Sequence, residues 1–202
     1  MSRRMSSLDL KIVVLGSAFV GKTSIINRYC NSTFIEDTLS TIGAGFFTRT
    51  MNIDGTEVTI MLWDTAGEER FRSVAPSLLR GANGLVLVYD LTQPNSFKDI
   101  DIYMEMFLDT CNVDPTYTLP VLLLGNKCDL NRVVSVETVE EWKRKNKVVF
   151  SYEVSAKTGE KVEEAFQKLI ESLVSPAANT DNTPIQIVIN PGNPNKQNSG
   201  CC

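Results

Sequence analysis

Continuous apolar runs separated by polar, glycine-bearing loops set the pattern of this chain. Residues 85–89 and 119–124 are such runs, which suit central strands covered on both faces, and residues 10–15 and 148–154 also read as strands. Residues 46–53 and 58–63 are also strand-like, and the Asp54-Gly55 pair between them predicts a hairpin with antiparallel pairing. Residues 24–30 read as a helix after the first strand. Helical spacing is clearest near the end, where Val162, Ala165, Phe166, Leu169, Ile170 and Leu173 fall on one stripe. Further helical segments lie between the later strands. This alternation predicts an α/β fold: a six-stranded, mostly parallel sheet with one antiparallel hairpin strand and helices on both faces. Ligands of such sheets sit beyond the carboxyl ends of the strands.

The pattern stops near residue 175. Asn, Pro, Thr, Gly and Ser then dominate, relieved by the aliphatic residues 185–189. A segment of that composition cannot offset its ordering entropy by burial, so the expected division is a folded unit over residues 8–174 and a disordered tail over residues 175–202. A chain of 202 residues with 43% hydrophobic residues suits one domain with a proper core. A net charge of −4 without a clustered basic face argues against nucleic-acid binding. With 0 histidines, imidazole bases, Ser-His triads and ordinary zinc sites are excluded. Asp9 and Lys11 interrupt any signal core at the N-terminus, no apolar run is long enough to span a membrane, and reducing cytosol is the expected compartment. Cys30, Cys111 and Cys128 then read as free thiols, buried or partly so.

Three groups of residues carry the chemistry. Gly16-Ser17-Ala18-Phe19-Val20-Gly21-Lys22-Thr23 follows the first strand and opens the first helix at Ser24. That order is the setting of a phosphate-binding loop, whose backbone N–H groups point around a polyphosphate at a helix N-terminus. Lys22 can reach the β- and γ-phosphates, and the Thr23 hydroxyl can ligate magnesium. A glycine turn in a dinucleotide-binding sheet is the competing explanation. The second group is Asn126-Lys127-Cys128-Asp129 after the fifth strand with Ser155-Ala156-Lys157 after the sixth. Guanine presents an N1–H and a 2-amino group as neighbouring donors, which one carboxylate at Asp129 can accept; adenine has no such pair. The third is Asp64-Thr65-Ala66-Gly67-Glu68: Asp64 can hold a metal-bound water, and the Gly67 N–H can approach a γ-phosphate. Thr41, in the loop before the hairpin, can complete the metal shell when a γ-phosphate is present.

Together these residues resemble the small GTPases of the Ras superfamily, a P-loop NTPase architecture. Ser40-Thr41-Ile42-Gly43-Ala44-Gly45-Phe46, Arg70-Phe71-Arg72-Ser73-Val74, Leu79-Arg80-Gly81-Ala82 and Leu87-Val88-Tyr89-Asp90-Leu91-Thr92 narrow the resemblance to the Rab family. The resemblance implies a GTP/GDP switch with Mg2+ that regulates vesicular traffic, with Lys22, Thr41, Gly67 and Glu68 at the hydrolytic step. It implies that Asn126, Asp129 and Ala156 read guanine, that Phe34 and Lys127 flank the base, and that Lys157 lies beside it. Phe46, Trp63 and position 78, here Leu78, form its candidate effector patch. Implied partners are effectors at the switch segments, an exchange factor, a GTPase-activating protein, a GDP-dissociation inhibitor and an escort protein. A monomer on the cytoplasmic face of an intracellular membrane, cycling with cytosol, is expected.

Several residues depart from that family. Glu68 stands where a water-orienting glutamine is usual; a carboxylate accepts but cannot donate, and it adds negative charge near developing negative charge. Slow intrinsic hydrolysis is expected, with a non-hydrolysing GTP-bound membrane scaffold as the rival reading and a kinase of another nucleotide as a weaker one. Ala18, the bulky Phe19 and Gly45 also depart from the family pattern. The C-terminal Cys201-Cys202 is not a C-a-a-X box and instead resembles the Rab signal for two geranylgeranyl chains. Two long chains anchor stably where one is marginal, at about 0.8 kcal/mol per buried methylene. The aliphatic residues 185–189 resemble the tail motif gripped by escort proteins.

Overall fold

In a computed structural model of the chain, the residues described are 7–36, 41, 44–65, 75–111 and 120–175. Six strands form one sheet: β1 (Ser7–Leu15), β2 (Ala44–Ile53), β3 (Thr56–Thr65), β4 (Gly84–Asp90), β5 (Val121–Asn126) and β6 (Phe150–Glu153), in the order β2-β3-β1-β4-β5-β6. All neighbours run parallel except β2 and β3, which pair antiparallel from Ala44↔Thr65 to Ile53↔Thr56 around the Asp54-Gly55 turn. The helices are α1 (Lys22–Asn31), α2 (Ala75–Leu79), α3 (Pro94–Lys98), α4 (Ile100–Cys111), α5 (Val136–Asn146) and α6 (Val162–Val174). The expected fold class is therefore present.

The sheet separates two apolar layers because successive strand side chains point to opposite faces. Leu10, Ile12 and Val14 of β1 pack with α1 and α6, while Val13 and Leu15 pack with residues of α2 to α5. Burial on both sides explains why β4 and β5 read as unbroken apolar runs: every residue of each is buried. The α6 stripe lies against α1, where Phe166 stacks on Tyr29 with ring centroids 4.3 Å apart. Helix α5 is framed by its own sequence. The Ser135 hydroxyl accepts from Thr138 N–H, Glu137 sits in the first turn, and three basic residues occupy the last turn, each favourable to the helix dipole.

Element ends differ from expectation for identifiable reasons. Strand β1 starts at Ser7 because residues 7–9 pair with Glu57, Val58 and Thr59 of β3, a backbone partnership that apolar patterning does not register. Strand β6 starts at Phe150 rather than at 148. Lys147 closes α5 in the left-handed conformation and Val148 N–H still bonds the Lys143 carbonyl, so the residues before Phe150 belong to the helix cap. Leu119 and the tail beyond residue 175 lie outside the described residues. Cys30, Cys111 and Cys128 are free and half-buried. Among the described residues no helix is long and apolar enough to cross a membrane.

Candidate nucleotide-binding cleft

The carboxyl ends of β1, β3 and β5, with the loop after β6, open onto a cleft of about 500 Å³. Its lining includes Ala18, Phe19, Gly21, Lys22, Thr23, Ser24, Phe34, Thr41, Asn126, Lys127, Asp129, Ala156 and Lys157. One end holds the loop after β1 and the other the loops after β5 and β6.

At the first end two glycines set the backbone path. A Cβ on Gly16 would lie 2.1 Å from the Val88 carbonyl oxygen, and Gly21, at φ 94, is the left-handed N-cap of α1. No side chain caps that helix start, so its first N–H groups remain donors for a ligand. Lys22 is 5% exposed and its ammonium donates to the carbonyls of Gly16 and Ser17 at 2.8 and 2.9 Å. Burial draws its pKa down to about 8, partly opposed by the charge of Asp64. A polyphosphate is the kind of anion that would restore full charge to such a group. The loop is tied from outside by Ser17 Oγ, which donates to Asp99 Oδ2 at 2.8 Å. Phe19 holds φ 63 and is 72% exposed, a left-handed backbone that costs a bulky residue about 1–2 kcal/mol.

Beside Lys22 three oxygens converge. Thr23 Oγ1 donates to Asp64 Oδ2 at 2.6 Å and lies 2.8 Å from Thr41 Oγ1. Asp64 is 1% exposed; burial raises its pKa, against the Thr23 hydrogen bond and the Lys22 charge. Its other oxygen, Oδ1, has no hydrogen-bond partner. An orphaned buried carboxylate oxygen beside two hydroxyls fits a small hard cation. Among the described residues no group of three or more Cys, Asp or Glu side chains gathers to hold a metal. These donors thus suit magnesium, which keeps waters and shares phosphate oxygens instead of requiring an all-protein cage.

The far end is built on Asn126, 2% exposed. Its Nδ2 donates to the Val20 carbonyl at 2.8 Å and its Oδ1 accepts from Ala156 N–H at 3.1 Å. Ser155 Oγ donates to Asp129 Oδ1 at 2.6 Å and accepts from Thr158 N–H, which aligns the carboxylate. Lys127, at φ 68, pairs with the buried Asp90 at 2.6 Å. Phe34 is half-buried against the α1–α6 layer and lines the cleft. The Arg28 guanidinium donates to the carbonyls of Ala156 and Lys157, and Lys157 pairs with Glu36 at 2.8 Å across the mouth.

The structure therefore brings together the described residues expected at the site, from both loops and from β3. Gly67, Glu68, Phe71, Cys201, Cys202 and the aliphatic residues 185–189 lie outside the described residues. Phe46 is 53% exposed with its ring 5.0 Å from that of Trp63, so it stands at the surface and not in the core. Asp99, Arg28 and Glu36 support the cleft without a motif of their own, and only tertiary placement reveals them; Asp90 stands in a motif, but its pairing with Lys127 is seen only in the structure.

A parallel sheet with a phosphate-type loop after its first strand and a carboxylate-bearing loop after its fifth defines a P-loop nucleotide-binding protein. The family model described as "Ras family" matches residues 11–175. Relatives include Ras-related protein Rab7 of Drosophila melanogaster, 41% identical over 203 residues, covering 96% of this chain and 98% of that protein. Ras-related protein Rab-7a of Dictyostelium discoideum is 39% identical over 202 residues, covering 96% of each chain. Ras-related protein Rab7 of Cenchrus ciliaris is 36% identical over 198 residues, again covering 96% of each. The chain belongs to the Ras family, as a Rab small GTPase. It binds GTP and GDP with Mg2+, hydrolyses GTP, and acts as a switch in membrane traffic.

Replacing Gly21 by alanine tests the junction of the two loops. The added Cβ would sit 2.3 Å from Asn126 Nδ2, displacing the amide that bonds Val20. Loss of that bond and a strained φ should weaken GDP binding by about tenfold or more. Competition against a fluorescent GDP analogue measures it; unchanged affinity would show that the Asn126 bridge does not matter.

Proposed function

We propose that the cleft is the guanine-nucleotide site and that its described lining divides into a phosphate end and a base end. What carries this reading is the convergence of Lys22, Thr23 and Asp64 at one end of a cleft whose other end holds Asp129, Ser155 and Ala156. At the phosphate end the Lys22 ammonium and the N–H groups opening α1 hold the β- and γ-phosphates. Thr23 and Asp64 hold magnesium, joined by Thr41 when the γ-phosphate is present. Magnesium supplies charge neutralisation on the phosphate oxygens when bound. At the base end Asp129 accepts the N1–H and 2-amino donors of guanine, with its position set by Ser155. Phe34 and Lys127 flank the ring, and Ala156 and Lys157 close its edge. Residues 8–174 form the GTP-binding unit, in keeping with α6 ending at Val174, and residues 175–202 form the tail.

Hydrolysis depends on orienting a water against the γ-phosphate. Glu68 accepts a hydrogen bond from that water but offers no donor to the transition-state oxygens, and its charge opposes theirs. Intrinsic turnover is therefore slow, and a GTPase-activating protein supplies the missing donors. Between exchange and hydrolysis the GTP form recruits effectors through the segments around Thr41 and residues 67–80. Cys201 and Cys202 carry two geranylgeranyl chains, which hold the protein on the cytoplasmic face of an intracellular membrane. A GDP-dissociation inhibitor withdraws it to the cytosol, and an escort protein presents the tail for modification.

Two measurements address this reading. In single-turnover phosphate release, Glu68→Gln should hydrolyse bound GTP about tenfold or more faster than the parent, the size expected of one restored transition-state donor. An equal rate would remove Glu68 as the brake. The double variant Cys201→Ser/Cys202→Ser should bind GDP as the parent does yet accept no isoprenoid and partition wholly to the soluble fraction. Membrane retention by that variant would contradict the lipid anchor.

A further inference from the structure

Most described non-glycine residues with positive φ have a local reason for it. Ser32 and Lys147 close helices, Lys161 opens α6, Asp54 sits in the hairpin turn, and Lys127 belongs to the base loop with its ammonium on Asp90. Phe19 is the aromatic residue of that set, on the phosphate loop at φ 63. A bulky residue stays in such a conformation where surrounding bonds over-determine the backbone. Those bonds are present: Ser17 Oγ on Asp99, and Lys22 on the carbonyls of Gly16 and Ser17. The loop path is thus fixed without the ring, and glycine would follow it at no strain. The core does not use the ring either, since the residue is 72% exposed and belongs to neither apolar layer. One exposed apolar side chain means little by itself. An aromatic that neither loop nor core requires, held under strain on the lip of the cleft, is different: what remains for it to meet is the occupant of the cleft.

We infer that Phe19 is a nucleotide-retention residue: its ring covers the phosphate-and-ribose side of bound guanine nucleotide and slows release. This rests on the guanine-nucleotide reading of the cleft. The phosphates do not attract an apolar ring, so the effect comes from two other sources. The ring buries its own surface against the ribose carbons, and by excluding water it strengthens the attraction between Lys22 and the phosphate oxygens. Glu36 and Lys157 also line the cleft and pair with each other, but their side chains are 74% and 56% exposed. An ion pair so solvated contributes little and fades with salt. The contribution of Phe19 is apolar and persists when that pair is screened.

The test is the dissociation rate of a fluorescent GDP analogue from the full chain, chased with excess GDP at low and high salt. Phe19→Gly and Phe19→Ala should release nucleotide about tenfold faster than the parent at both ionic strengths, while Phe19→Leu, which keeps apolar bulk, stays within about threefold. In nucleotide-stripped protein the thermal midpoint of Phe19→Gly should not fall below that of the stripped parent, because the left-handed strain is relieved. Release by the Gly and Ala variants within twofold of the parent, or slower, would overturn the inference while leaving the guanine site standing. Failure of the parent to bind GDP would instead overturn the reading on which it rests.

Discussion

A single buried amide joins the two halves of the nucleotide cleft. Asn126 donates to the Val20 carbonyl in the loop after β1 and accepts from Ala156 N–H in the loop after β6, so the spacing of the two ends of the cleft is set through a buried side chain. The bridge depends on its neighbours. Gly21 must lack a Cβ for the amide to pass, and β5 must be flanked by β4 and β6 for Asn126 to emerge at that height. Arg28, from α1, fixes the same loop from behind through the carbonyls of Ala156 and Lys157. A ligand that reaches from one end to the other therefore meets loops already bonded to each other, which lowers the cost of ordering them.

Charge is the second constraint. Lys22 and Asp64 are both nearly inaccessible, and burial disfavours the charged form of each, moving the lysine pKa down and the carboxyl pKa up. Without phosphate and cation, Asp64 leaves one oxygen unpartnered and Lys22 relies on backbone carbonyls. Nucleotide and magnesium held there, as proposed, would satisfy both and would couple the stability of the folded unit to its ligand.

Much of this was legible in the chain because the relevant signals are local. Apolar runs marked both central strands, Asp54-Gly55 marked the hairpin, and the i, i+3, i+4 spacing marked α6. The glycine loop, the Asn126–Asp129 segment and Ser155-Ala156 announced the cleft because loops after successive parallel strands must converge. The rest depended on distant partners. The first residues of β1, Ser7-Leu8-Asp9, carry no apolar run and become a strand through pairing with β3. Asp99, Arg28 and Glu36 lie 82, 128 and 121 positions from the cleft residues that they bond. The left-handed backbone of Phe19 has no sequence signature at all, since nothing in a phenylalanine foretells positive φ.

Selection of guanine by the Asp129 carboxylate, as proposed, gives the cleft its nucleotide specificity. Calorimetric titration of nucleotide-stripped protein with GDP and with ADP, in magnesium buffer, addresses it directly. Two hydrogen bonds to a charged acceptor, at about 1.5–3 kcal/mol each, predict a preference for GDP of about a hundredfold or more, lost in Asp129→Ala. Equal affinity for the two diphosphates, or a preference that survives that substitution, would contradict it.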